Sequence, residues 1–170
     1  MVWFASAAAA SALARSAPLS SFESALLTSA VQGGFVVGTL VSALLGLPDR
    51  FDPRRLFMVS AIAAGLVSAA LAALPPTGLT ILVLRFLTGV ALAGVYPIGM
   101  RLAATWAKGD LGLLVGLLVG ALTLGSASPH LLAAFGGIDW RVIYLVASGC
   151  ALFGGIAILI AGVGPNAPRA

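Results

Sequence analysis

The chain has 170 residues, of which 61% are hydrophobic and only 8% charged. A soluble domain carries about 25% charged residues, so this composition excludes a water-facing surface of matching size and fits lipid as the solvent. The formal net charge is +4, yet the cations sit in short polar breaks between apolar runs. That pattern excludes a nucleic-acid interface, which needs one basic face, and suits the positive-inside arrangement of membrane proteins.

The first apolar stretch, residues 2–14, reads VWFASAAAASALA. At about 1.5 Å per residue it reaches roughly 20 Å, short of a hydrocarbon core about 30 Å thick. It reads either as a secretory signal without the usual positive start, or as a first span lacking its N-terminal half. A polar break at 16–21 surrounds Pro18, and a second span is predicted over 22–47, with Glu23 at its start. Residues 48–55, PDRFDPRR, form a dense run of charge that must lie in water. In that loop Asp52 is placed to cap the next helix, with Pro53 at its first position.

A third span is predicted over 56–74, followed by a Pro-Pro-Thr-Gly turn at 75–78. The fourth, 79–104, contains Arg85 and Pro97. A break with Lys108 leads to the fifth, 111–135, which carries His130. A second glycine turn precedes the sixth, 142–163, and the tail is GPNAPRA. The predicted fold is therefore an all-α membrane protein. It is one domain over 1–170, a polytopic bundle of five full transmembrane helices plus one shortened N-terminal helix. Short loops make sequence neighbours antiparallel neighbours in space.

Charge sets the orientation. Arg50, Arg54, Arg55, Arg101, Lys108 and Arg169 fall on one side, and only Arg15 and Arg141 on the other. That bias predicts a multi-pass protein of the inner or plasma membrane, with the 48–55 loop and the C-terminus in the cytoplasm. The first span then starts inside, which favours a shortened span over a cleaved signal.

Small residues recur at every fourth position. Gly34, Gly38 and Ser42 do so in the second span; Ala61, Gly65, Ala69 and Ala73 in the third; Gly112, Gly116 and Gly120 in the fifth. Such stripes let helix backbones approach in lipid, so these glycines, with Gly89 and Gly125, are predicted packing positions.

Few side chains at membrane depth offer chemistry. Arg85 is costly there by about 2.5–3.5 kcal/mol on insertion scales, and a charge at that depth usually faces a cavity or a partner. Arg85 therefore reads as a substrate or proton-coupling group, with snorkelling to the interface as the structural alternative. Glu23 is its candidate partner. His130 is a candidate for proton exchange near neutral pH, or else a residue of a Pro129 kink. Gln32, Thr28, Thr88, Tyr96 and Thr123 offer hydrogen bonds to a polar cargo. Enzyme signals are poor. Ser126 and Ser128 lie near His130 without a nucleophile elbow, and with the single Cys150 no metal-ligand spacing occurs. No catalytic group, metal or cofactor is expected.

The run from Leu45 to Arg55 resembles the signature between the second and third spans of major facilitator superfamily transporters. That pattern is glycine, three variable residues, Asp-Arg, a variable residue, glycine and two basic residues. Asp49, Arg50, Arg54 and Arg55 match its charges. Leu45 stands at the leading glycine, with Gly46 one step late, and Asp52-Pro53 replaces the inner glycine with one residue more. Arg85 to Gly89 resembles the family's fourth-span Arg-xxx-Gly, the run Gly116 to Gly125 its glycine-rich fifth span, and Trp140-Arg141 the opening of its sixth.

The resemblance implies a secondary active carrier of a small solute, built from two six-helix halves with the substrate site between them. Asp49, Arg50, Arg54 and Arg55 would form a conformational-switch loop, whose aspartate reaches a helix of the second half. Arg85 would serve proton coupling. The chain would be the N-terminal half, set in a lipid bilayer and needing a second half from the same or another chain. A non-transporting scaffold or assembly partner is the alternative.

Overall fold

The computed structural model describes residues 2–4, 21–74, 78–134 and 139–167. Among these there is no strand. A 3-10 turn at Val2–Phe4 is followed by seven helices: α1 (Ser21–Leu44), α2 (Leu47–Arg50), α3 (Pro53–Ala73), α4 (Leu79–Leu92), α5 (Tyr96–Ala104), α6 (Leu111–Ala134) and α7 (Trp140–Ala161). Most of the 2–14 stretch, and most of the turns at 75–78 and 136–139, lie outside the described residues.

Among the described residues, four segments are long and apolar enough to cross a membrane: Ala25–Leu44, Pro53–Ala73, Leu79–Ala104 and Trp140–Ala161. Helix α6 runs 24 residues, and its part Leu111–Ala127 is apolar. The protein is an all-α, polytopic membrane bundle.

Local chemistry explains where the helices stop. Helix α1 ends before Gly46, whose φ of 61° is a left-handed conformation that glycine adopts without steric penalty. Asp52 caps α3: its Oδ1 accepts from the Arg54 backbone N–H at 2.8 Å, and Pro53 opens the helix. Asp139 caps α7 in the same way, accepting from the Arg141 N–H at 3.0 Å.

The fourth span is not one continuous helix. It breaks at 93–95 between α4 and α5. Pro97 has no N–H to offer the carbonyl one turn back, and its ring crowds that carbonyl. The chain tightens instead: Gly94 N–H donates to Ala91 O at 3.1 Å and Val95 N–H to Leu92 O at 3.0 Å.

Two helix pairs dominate the packing, α1 with α4 and α3 with α7. The α1–α4 seam is a reciprocal glycine contact. A Cβ at Gly34 would overlap the Phe86 carbonyl, and one at Gly89 would overlap the Val31 carbonyl. Gly38 is close as well, though less so, since a Cβ there would sit 2.9 Å from Val90 Cα. In the α3–α7 pair, Gly65 faces Leu152 and Gly155 faces Ala61, and the Ser148 hydroxyl donates to Gly65 O at 2.7 Å.

Gly112, Gly116 and Gly120 behave differently. Among the described residues, nothing lies within 4 Å of a Cβ built at any of them. The predicted packing stripe of the fifth span therefore faces outward here, because α6 meets the rest of the bundle chiefly through α5.

The two ends of the bundle also differ. Val2, Leu27, Leu71, Ile81, Trp140, Ile143 and Tyr144 form a buried core where α1, α4 and α7 begin and α3 ends. At the other end lie the charged loop, the α5 terminus and the tail. Arg101 Nη1 donates to Asp49 Oδ1 and to Pro48 O, both at 2.8 Å. The Thr105 hydroxyl accepts from Gly164 N–H at 2.9 Å, and the Thr105 carbonyl from Asn166 N–H at 3.1 Å.

Candidate functional site

Between the buried core and the charged end, the helices line an open cavity of about 710 Å³, at which Gln32, Tyr96 and Cys150 are exposed. Its walls come from the Val2–Phe4 turn and from α1, α3, α4, α6 and α7, with Val95 and Tyr96 at the break of the fourth span. That break places Tyr96 in the wall. The small residues Ala61, Ala64, Ala147, Ala151 and Gly154 leave the space open, and Trp3, Phe35, Phe57 and Tyr96 furnish it with four aromatic rings. Trp3 and Phe35 meet edge to face with centroids 4.9 Å apart, a favoured aromatic geometry. The polar groups in the wall are the Gln32 amide, the Tyr96 hydroxyl and the Cys150 thiol. A pocket of this size, mainly apolar with a few polar groups, has the general form of a small-molecule site.

Gln32 and Tyr96, both singled out in the sequence, meet in this wall. Arg85 does not line it. Its side chain is fully buried, and its Nη2 donates to Trp3 O at 3.1 Å and its Nε to Leu27 O at 3.4 Å. Nη1 has no hydrogen-bond partner among the described residues. Arg85 thus ties α4 to the turn at residues 2–4 and to α1, with Trp3 standing between it and the cavity. The hydrogen-bond acceptors described for Arg85 are main-chain carbonyls; Glu23 lies in the first turn of α1, with its side chain exposed.

The hydroxyl candidates divide likewise. Thr88 donates to Leu84 O at 2.8 Å and Thr123 to Val119 O at 2.9 Å, so each serves its own helix. His130 belongs to the last turns of α6, and its side chain lies outside the described residues. In the charged loop, Arg54 pairs with the Asp52 carboxylate at 3.0 Å, while Arg50 and Arg55 are exposed. That Arg54 hydrogen bond holds the Asp52 carboxyl below its usual range. Asp49, which the resemblance would send to a second half, pairs with Arg101 of the same bundle.

Sequence reasoning missed Trp3, Phe35, Phe57 and Cys150. The spacing of Phe35, three residues after Gln32, puts both on one helical face and was a usable signal. Nothing in the sequence linked Phe57 or Cys150 to that face.

Comparison with known proteins agrees with this architecture. The family model of the Major Facilitator Superfamily matches residues 1–170. The Inner membrane metabolite transport protein YdjE of Escherichia coli (strain K12) is 30% identical over 146 residues, covering 82% of this chain and 29% of that protein. Solute carrier family 22 member 6-A of Xenopus laevis is 34% identical over 126 residues, covering 72% of this chain and 22% of that protein. The chain thus spans under a third of the length of either relative. No solved structure matches it. With the whole chain matched and a polytopic helical bundle observed, this protein is a multi-pass membrane protein that belongs to the major facilitator superfamily.

Proposed function

We propose that the chain is the N-terminal half of a secondary active carrier for a small solute, and that the cavity between Trp3, Gln32 and Tyr96 is its part of the solute path. The observation that carries this reading is a roomy, mainly apolar cavity with convergent polar groups in a chain of transporter family. A second six-helix unit completes the path. The outward-facing Gly112–Gly116–Gly120 stripe supports a place for it, since small residues permit close helix approach in lipid. The positive charge on the 48–55 loop supports a cytoplasmic position for that end of the bundle, in a cell membrane.

Arg85 acts in this reading as a positioning residue that fixes Trp3 beside the cavity. Proton coupling in this reading runs through His130, an ionisable residue of the last turns of α6. The reading predicts a pH-dependent uptake rate that becomes flat in His130→Gln.

The carrier is tested by solute uptake into membrane vesicles from cells expressing the chain, alone and with the C-terminal half of the E. coli relative. Accumulation above that of an equally inserted Arg85→Leu variant supports it. Equal accumulation in both would leave the scaffold reading, in which Arg85 serves the fold alone.

A further inference from the structure

We propose that the cavity selects uncharged, predominantly apolar aromatic solutes, stacked among Trp3, Phe35, Phe57 and Tyr96 and oriented by a hydrogen bond to Gln32. This rests on reading the cavity as the solute chamber.

Three observations point the same way. First, the four rings come from four separate elements: the turn at residues 2–4, α1, α3 and α5. They line the space from separate elements rather than along one helix, so a flat apolar solute can meet rings from more than one element.

Second, no Asp, Glu, Lys, Arg or His is among the residues described as lining the cavity. The buried cation nearest to it in the fold, Arg85, donates to the Trp3 and Leu27 carbonyls behind the wall. An ionised solute would leave water without a counter-charge, which is strongly unfavourable in an apolar site. Cation–π attraction to the rings offsets only a small part of that cost.

Third, the wall offers few polar groups. The Gln32 amide both donates and accepts hydrogen bonds, and beyond it only the Tyr96 hydroxyl and the Cys150 thiol are available. A sugar would enter with most of its hydroxyls unsatisfied. One hydroxyl, ether or carbonyl on an aromatic body matches the wall.

Cys150 supplies the test, because it lines the cavity and is the only cysteine of the chain. The rate of its alkylation by N-ethylmaleimide would be measured in membranes holding the full chain. The probes are 2-naphthol, 2-naphthoate, a naphthylmethyl-trimethylammonium salt and glucose. The proposal expects 2-naphthol to slow alkylation about tenfold at ten times its Kd, since only the unliganded fraction reacts. The other three should leave the rate unchanged. Phe35→Ala and Gln32→Leu should each weaken protection by 2-naphthol without changing membrane insertion. Cys150 and Ile160 are both exposed, but only Cys150 is among the residues lining the cavity, so in a Cys150→Ala, Ile160→Cys variant 2-naphthol should have no effect.

The proposal is overturned if either charged naphthyl compound or glucose protects as well as 2-naphthol. It is equally overturned if nothing protects, if Cys150 is not alkylated at all, or if the Ile160→Cys control slows in parallel. Protection by 2-naphthol without flux in the vesicle assay would remove the carrier reading and leave this selectivity standing. Flux of a charged solute without such protection would do the reverse.

Discussion

The α1–α4 seam and the outer face of α6 carry the same sequence pattern and do opposite things. Gly34 and Gly38 in α1 repeat at four-residue spacing, as do Gly112, Gly116 and Gly120 in α6. In the seam, Gly34 lies under the backbone of Phe86 and its counterpart Gly89 under that of Val31. On α6 the glycines meet nothing within 4 Å among the described residues. Four-residue spacing therefore states that a helix can be approached closely, and leaves open whether another helix of the same bundle makes the approach. The seam is fixed inside the bundle; the α6 face is available to something outside it.

The largest test of this contrast is Gly89→Leu. The new side chain would collide with the Val31 carbonyl, a backbone atom that cannot rotate away. Overpacking a core costs about 1–3 kcal/mol and sometimes more, so this variant should lose its monodisperse peak on detergent size-exclusion chromatography. Arg85→Leu attacks the same seam through its polar tie. The Trp3 and Leu27 carbonyls lose their hydrogen bonds from the guanidinium, and a hydrogen bond from a charged group contributes about 1.5–3 kcal/mol. Unfolding in a denaturing-detergent titration should shift accordingly, and Arg85→Lys should restore part of it.

The smaller effects concern the charged end and the α6 side. Asp52→Ala removes the α3 cap at a cost of about 1 kcal/mol. The folded Asp52 pKa is lowered, so its contribution is present above the ordinary carboxylate pKa of about 3.9 and is lost as pH falls through the lower folded value. Thermal unfolding of wild type and Asp52→Ala should therefore converge as the pH falls from about 5 to strongly acidic. Asp49→Asn breaks the exposed pair with Arg101, worth about 0–1 kcal/mol and weaker in high salt. Since Arg101 lies on α5, the element α6 packs against most, its readout is the protease sensitivity of α6. Gly116→Leu should change the stability of the isolated chain by no more than about 0.5 kcal/mol. A large loss of stability there would show that the α6 face is already occupied within the bundle.

The site was partly legible. Gln32 and Tyr96 were visible as polar groups at membrane depth, where polar residues are rare enough to stand out, and the structure brings both to one cavity. Arg85 was equally visible, but its direction was not. Whether a buried guanidinium faces a cavity or a carbonyl depends on which backbone acceptors the fold brings beside it. Here those are the Trp3 and Leu27 carbonyls, one of them 82 residues away in sequence. The aromatic wall was illegible for the same reason, since an aromatic residue in an apolar span carries no mark of the element it will face. Pro97 did signal trouble in the fourth span, yet a proline in a membrane helix can kink it or break it, and the tightened turns at 93–95 decided the matter.

By itself the sequence determined the solvent, the helical class and the polar breaks, and it identified Asp52-Pro53 as a helix start. Each of these follows from local quantities: apolar length against bilayer thickness, charge against the cost of burial, and the geometry of a cap. Only the tertiary structure decided which glycine stripe is closed and which is open, and that Arg85 stands behind Trp3 rather than in the cavity. Those are questions of which surfaces meet, and a residue's type limits its partners without choosing among them.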